Sequence, residues 1–393
     1  MQASWKRMAL GVTLLAAVGG WPATGTAQDH DRLAQTLVND VARVREGDYV
    51  LISGAPRDVE LLEDVAAYVA KVGGFPLVTL STERMGQLYF SKVPARYDSR
   101  EPKLDLDLTR LFNVTISIDP SESLDAFAAV PPERRAAIGQ AFAPVGTLAL
   151  KRGVRGVSVG NDLYPTAARA RQFGVSPEEL ARQFWSGVNV DYAKLQATAR
   201  AGVAALAAKE IHITHPNGTD LRARIEGRPV FASDGVISAE DEKKGGAACQ
   251  VYLPAGEVYL APVPGTAEGK VVVDRQFFEG KAIEGLTLTY TGGGLVSMTA
   301  NAGLEGLKAL YDAAGTGKDR FGVIDIGINP SVRLVPGSRM TSWVPAGTVT
   351  LTLGNDTWAG GENAAPFGLP GHLAGATVKV DGRAVVEDGT LKF

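Results

Sequence analysis

Gly156-Val157-Ser158-Val159-Gly160 sets a serine between two glycines at the spacing of a nucleophile elbow. Such a serine works only on a sharp turn from strand into helix, where a base can reach its Oγ. The residues that follow, Asn161-Asp162-Leu163-Tyr164-Pro165, have loop composition, and Pro165 disfavours helix just before it. Ser158 is therefore expected inside a strand of small residues. A serine hydrolase pairing it with His212, His215 or His372 is the remote alternative. His212 and His215 stand three apart in a β-type run, so their rings face opposite sides and do not readily share one metal. Gly315-Thr316-Gly317-Lys318 ends like a phosphate-binding loop, but Asp312 and Asp319 occupy the positions that need Gly and Ser or Thr. It is a turn. Cys249 is the only cysteine, which excludes an internal disulfide and a thiolate zinc cluster. With an apolar run beside it and no base nearby in sequence, it is expected as a buried, inert thiol.

The elements that must position these groups follow from periodicity. Asp31 to Val44 has a helical pattern, and Tyr49 to Ser53 is a short apolar run suited to a buried strand. In Asp58 to Val72, the residues Val59, Leu62, Ala66, Val69 and Val72 fall on one helical face. Phe75 to Leu80 is β-type again, so the segment is a βαβ unit and implies a parallel sheet. Asn113–Ile118 and Val154–Val159 extend that sheet, with helices expected over Asp125–Phe142, Ser176–Phe184 and Asp191–Ala208. From Glu210 onward, short β-type runs alternate with Gly and Pro turns, and one clear helix is expected, Ala302–Ala313. Asp381-Gly382 between two apolar runs is a hairpin turn. The fold class is thus an α/β N-terminal domain with a parallel sheet (28–208) followed by a β-rich C-terminal domain (209–393).

Composition excludes several functions. The chain has 393 residues, 45% hydrophobic and 21% charged, with a net charge of −3 and no basic block. A phosphate backbone needs clustered Lys and Arg, so nucleic acid is not an expected partner. Lys6 and Arg7 precede an apolar run from Met8 to Gly19, and Gly25-Thr26-Ala27 supplies small residues for cleavage before Gln28. Residues 1–27 are expected as a signal peptide. The run is too short for a membrane span, which takes about 20 apolar residues. Export to the periplasm or beyond, with no membrane association after cleavage, is the expectation.

Tyr164-Pro165-Thr166, Gly174 to Leu180 (GVSPEEL) and Asp191 appear in order, followed by Gly218-Thr219-Asp220-Leu221, Gly227-Arg228 and Asp234-Gly235. Leu253 to Val258 (LPAGEV), Ala261-Pro262, Gly269 to Val273, Gly327-Ile328-Asn329 and Val380-Asp381-Gly382 continue the series. Together they resemble the thermophilic aminopeptidases, metallopeptidases of the aminopeptidase T and aminopeptidase S type, over roughly the whole mature chain. LPAGEV is the most specific segment.

The resemblance implies peptides as substrates, a homodimer, and two metals in the C-terminal domain held by glutamates, histidines and an aspartate. Glu257 of LPAGEV carries over as a ligand. The other matched positions are Val323, Thr350, Gly368 and Pro370, which offer no comparable ligand side chains. One carboxylate cannot hold two dications against their mutual repulsion. Standard two-metal catalysis is therefore expected to be lost. A single divalent ion (zinc, cobalt or manganese) on a rebuilt site would use Glu257 with Asp325 or His372, with Asp356 and Glu362 also near in sequence. The third alternative is a non-catalytic peptide-binding or structural protein.

Overall fold

Alternation of strand and helix organises the first half of the chain. The computed structural model describes residues 27–393, so the export-type segment lies outside the described residues. Ala27–Thr36 (α1), continued by a π-turn to Val41, precedes Tyr49–Gly54 (β1), Val59–Lys71 (α2), Phe75–Leu80 (β2), Glu83–Lys92 (α3) and Lys103–Leu111 (α4). Then come Val114–Ile118 (β3), Pro132–Arg152 (α5), Arg155–Val159 (β4), Ala167–Phe173 (α6), Pro177–Val188 (α7) and Tyr192–Ala205 (α8). Helix α2 buries Leu61, Leu62, Val65 and Val69 at helical spacing, while β1 and β3 bury every second residue.

The helix expected over 125–142 is instead α5. Proline suits the first helical turn, where its missing N–H loses nothing, so Pro131-Pro132 sets the start. Gly153, at φ 63°, ends it in the left-handed conformation. Helix α3 buries no residue at all, which is why no apolar stripe announced it.

The second half is strand-rich: Glu210–His215 (β5), Thr219–Arg224 (β6), Phe231–Ser233 (β7), the short helix Ala239–Lys244 (α9), Gln250–Leu253 (β8) and Glu257–Leu260 (β9). Glu268–Phe278 (β10), Lys281–Thr291 (β11), Gly294–Thr299 (β12), Glu305–Ala313 (α10), Phe321–Gly327 (β13) and Val349–Gly354 (β14) follow. Gly368–Leu373 (β15), Thr377–Val380 (β16), Arg383–Glu387 (β17) and Thr390–Leu391 (β18) close the chain. Asp381 and Gly382 both adopt positive φ, 46° and 83°, as the β16–β17 hairpin turn requires.

Three sheets result, ordered β2-β1-β3-β4-β8, β12-β11-β10-β6-β5-β16-β17-β18 and β15-β14-β13-β9-β7. The first is parallel throughout, and its last strand, β8, comes from the second half of the chain. One buried hydrophobic cluster runs from Leu33 through the sheets to Val386. Strands β8 and β9 are joined by Pro254-Ala255-Gly256, so the LPAGEV segment links the parallel sheet to the sheet that carries Glu257. Among the described residues, no helix is long and apolar enough to cross a membrane.

Candidate functional site

Antiparallel register places one row of side chains across the third sheet. Tyr259 on β9 stands opposite Asp325 on β13, Asp325 opposite Thr350 on β14, and Thr350 opposite His372 on β15. Directly opposed residues share a face, and so do residues two apart on a strand. Glu257 therefore belongs to the same face, opposite Gly327 and diagonal to Asp325. Gly327 leaves no side chain between them. It must be glycine, because a Cβ there would meet the backbone at Val344, where the chain crosses this face.

Both acids are buried. Glu257 is 3% exposed and Asp325 is 0% exposed. Asn161 donates from Nδ2 to a Glu257 carboxylate oxygen at 3.0 Å and to the Pro254 carbonyl at 3.1 Å. Among the described residues, neither oxygen of Asp325 has a hydrogen-bond partner, and the Tyr259 hydroxyl on the same row is also unpartnered. Burial pushes both carboxyls far above their ordinary range, and a nearby negative charge adds to the rise, Asp162 for Glu257 and Glu257 for Asp325, while the Asn161 hydrogen bond offsets part of it at Glu257. Thr350 Oγ1 and His372 Nδ1 share a hydrogen bond of 2.8 Å. Burial holds the His372 ring well below its usual pKa, so the imidazole is neutral at pH 7.

Aromatic rings wall the row. Trp343 packs edge-to-face on His372 (5.2 Å) and on Trp358 (5.8 Å), and Trp358 packs on Tyr259. Trp343 Nε1 donates to Asp162 at 3.1 Å. Asn161 and Asp162 both adopt positive φ, 42° and 59°. Two consecutive non-glycine residues in that conformation cost free energy, and the surrounding bonds hold them there. No sequence signal linked Asn161 or Trp343 to Glu257; the loop composition after Ser158 was visible, its destination was not.

Of the expected site residues, the fold brings Glu257 and Asp325 together. His372 lies on the row of Asp325, but Thr350 stands between them. Val323 is two residues further along β13, a row beyond Asp325, and packs with Tyr259, Ala359, Phe231 and Trp358. Its N–H donates to Thr352 Oγ1 at 2.7 Å. At about 3.3 Å per residue, Val323 sits roughly 13 Å along the strand from the level of Glu257. Pro370 shares the face of His372, and Gly368 pairs with Gly354 at the strand end. Asp356 accepts a hydrogen bond from the Asn363 N–H (2.7 Å) and, with Glu362, lines a different cavity beside Arg320. Among the described residues, no group of three or more His, Cys, Asp or Glu side chains is placed to hold a metal. Val323, Thr350, Gly368 and Pro370 supply no carboxylate or imidazole.

The other motifs resolve simply. Ser158 lies within β4, opposite Ser117 and Tyr252, and not on a strand-to-helix turn. His212 bonds Asp220 and His215 bonds the Ala374 carbonyl, so the two rings have separate partners. Cys249 is buried, and burial raises its thiol pKa.

The LPAGEV segment packs on the matched Gly327-Ile328-Asn329 segment. Asn329 donates to the carbonyls of Ala255 (2.6 Å) and Gly187 (3.1 Å). Gly256, at φ 131°, has no room for a Cβ, which would lie 2.6 Å from Asn329. The family profile described as thermophilic metalloprotease (M29) matches residues 26–331. The chain belongs to this family. It is 32% identical to aminopeptidase T of Thermus aquaticus over 204 residues, 48% of this chain and 49% of that protein, so it matches about half the length of this relative. Its fold is similar to wild-type AmpT of Thermus thermophilus, at TM-score 0.70 and 20% identity, covering 93% of this chain and 99% of that one. It is also similar to 2,5-dihydroxypyridine dioxygenase of Pseudomonas putida KT2440, at TM-score 0.59 and 14% identity, over 94% and 98% of the two chains.

Proposed function

We propose that this M29 member is an exported aminopeptidase-like protein that has lost two-metal hydrolysis and turns over peptides weakly or not at all. One observation supports the reading: Val323, Thr350, Gly368 and Pro370, the positions we match to the family's metal ligands, carry neither a carboxylate nor an imidazole. Peptide hydrolysis by a metal centre needs a water whose pKa has been lowered toward about 7 from about 15.7. Glu257 as a base alone would contribute about 10²–10⁴-fold, small beside the 10⁶-fold or more of typical enzymes. Fold does not decide the chemistry, since a similar fold carries a dioxygenase in one neighbour. Peptides remain the ligands we assign to this protein, and a homodimer the assembly.

A second reading is favoured by the two unpartnered oxygens of Asp325 beside Glu257. It places a single zinc, cobalt or manganese ion between these carboxylates. Elemental analysis of dialysed mature protein decides between the readings, together with release of N-terminal residues from amino-acid amides and dipeptides. We expect less than one tightly bound metal per chain and negligible turnover. Two metals per chain, or robust chelator-sensitive release, would refute the proposal. One metal whose affinity drops in both Glu257→Ala and Asp325→Asn would establish the second reading.

A further inference from the structure

On one side the parallel sheet ends in a bare strand. β2 is its edge and pairs only with β1. All six β2 residues are exposed, on both faces. Phe75 is 56% exposed, Leu77 41%, Val78 39% and Leu80 46%; Tyr49, stacked on Phe75 at 5.2 Å, is 49% exposed. No charged residue stands between Phe75 and Leu80. An edge meant for water is ordinarily guarded by charged side chains, because its free backbone groups can pair with another strand.

The free groups follow from the ladder. The Phe75 N–H donates to the Asp48 carbonyl (2.8 Å) and the Ser81 N–H to the Gly54 carbonyl (2.9 Å). Odd-numbered residues of β2 therefore face β1, and Pro76, Val78 and Leu80 turn their backbone groups outward. Pro76, which has no N–H, occupies an outward position, where a proline takes no bond from the sheet. Among the described residues, the outward N–H groups of Val78 and Leu80 have no partner. Such an edge is complementary to itself. A two-fold axis through Val78 sets two β2 strands antiparallel and keeps every pair within β2. Val78 then exchanges both backbone bonds with Val78 of the second copy, and each Leu80 N–H reaches the Pro76 carbonyl of the other copy. Val78 meets Val78 and Leu80 meets Pro76 on one face, and Leu77 meets Thr79 on the other, with no like charges opposed. At roughly 200 Å² for a full side chain of this size, the five apolar side chains expose roughly 450 Å² per copy. Roughly 900 Å² for the pair, before the edge backbone, Pro76 and Thr79 are added, is close to the about 1,000 Å² that a specific interface needs.

We propose that the β2 edge is a self-pairing surface that joins the five-stranded parallel sheets of two copies of this chain into one. The contact is isologous, so it closes at two copies. It deepens the homodimer assigned above by naming its surface, and it is independent of the metal content of the candidate site.

The test is sedimentation velocity of the mature protein over a micromolar concentration series, where a dimer is expected. Val78→Lys opposes two like charges at the axis and should raise the dimer Kd at least tenfold. Val78 is exposed, so this variant should keep the wild-type circular dichroism spectrum. Val296→Lys, at an exposed apolar residue of β12, should leave the dimer intact. Val78→Cys sets two Cα atoms about 5.5 Å apart, within disulfide reach, and should cross-link the copies on mild oxidation. Leu77→Cys, with its two Cα atoms roughly 8 Å apart in that register, should not. Cys249 is buried and does not compete. A dimer unchanged by Val78→Lys, or one that Leu77→Cys bridges and Val78→Cys does not, would overturn this surface and leave the homodimer standing. A monomer at every concentration would overturn both. A monomer that binds a synthetic extended apolar peptide, and loses it in Val78→Lys, would replace the second copy as the occupant of the edge.

Discussion

Replacing Asp325 by asparagine should stabilise this protein, an unusual result for a change at a buried polar residue. The carboxyl is 0% exposed and neither oxygen has a partner among the described residues. Leaving a buried polar group unsatisfied costs about 1–3 kcal/mol, and more when it is charged. The amide keeps the shape and can no longer ionise. Burial first, and then the charge of Glu257, raise the Asp325 pKa in the folded state above that of the unfolded chain. The folded state thus holds its proton more tightly. Its stability contribution is fully present below the unfolded pKa, about 3.9, and is lost as pH rises toward the folded value. The gain from Asp325→Asn should therefore be small near pH 4 and grow to about 1–3 kcal/mol by pH 8. An unfolding entropy of about 2.1 cal/mol/K per residue, over a chain of 393 residues, makes 1 kcal/mol roughly 1.2 °C in Tm. Differential scanning calorimetry at pH 4, 6 and 8 should then show a Tm increase that widens with pH to about 1–4 °C. A fall in Tm at pH 8 that chelator treatment of the wild type reproduces would show that the carboxylate holds a cation. A fall that chelators do not reproduce would place an undetected donor on Asp325. Either refutes the reasoning.

Asn161→Ala removes the only hydrogen bond described for the Glu257 carboxylate. The Glu257 pKa should rise further, and stability at pH 7 should fall by about 1–3 kcal/mol; denaturant midpoints and carboxyl infrared titration would measure both. Asn329→Ala should cost at least as much, because it leaves the buried carbonyls of Ala255 and Gly187 without their donor. A loss under about 0.5 kcal/mol would contradict that packing role. Gly256→Ala should be worse still, since a Cβ would sit 2.6 Å from Asn329 at a backbone φ of 131°; poor soluble yield at 37 °C is the expected outcome.

Local pattern was enough for the elements whose burial is periodic. The apolar run of β1, much of the apolar stripe of α2 and the Asp381-Gly382 turn are each written within a few neighbouring residues, although β1 buries only alternate side chains and Val59 of the expected α2 stripe is exposed. The order of the matched segments likewise led to the family without reference to contacts. Helix α3 escaped because it buries nothing, and the start of α5 was misplaced because Pro131-Pro132 overrode the helical pattern before it. The candidate site was legible only as a list of residues. Glu257 and Asp325 become neighbours because β9 and β13 pair in one particular register, and a shift of one residue would turn Asp325 to the other face. Asn161 reaches Glu257 across 96 positions because β4 and β8 are adjacent in the parallel sheet and both end beside β9. Residue types and spacing determined which groups could do chemistry here. Strand register and sheet order, set by burial summed over the whole chain, decided which of them meet.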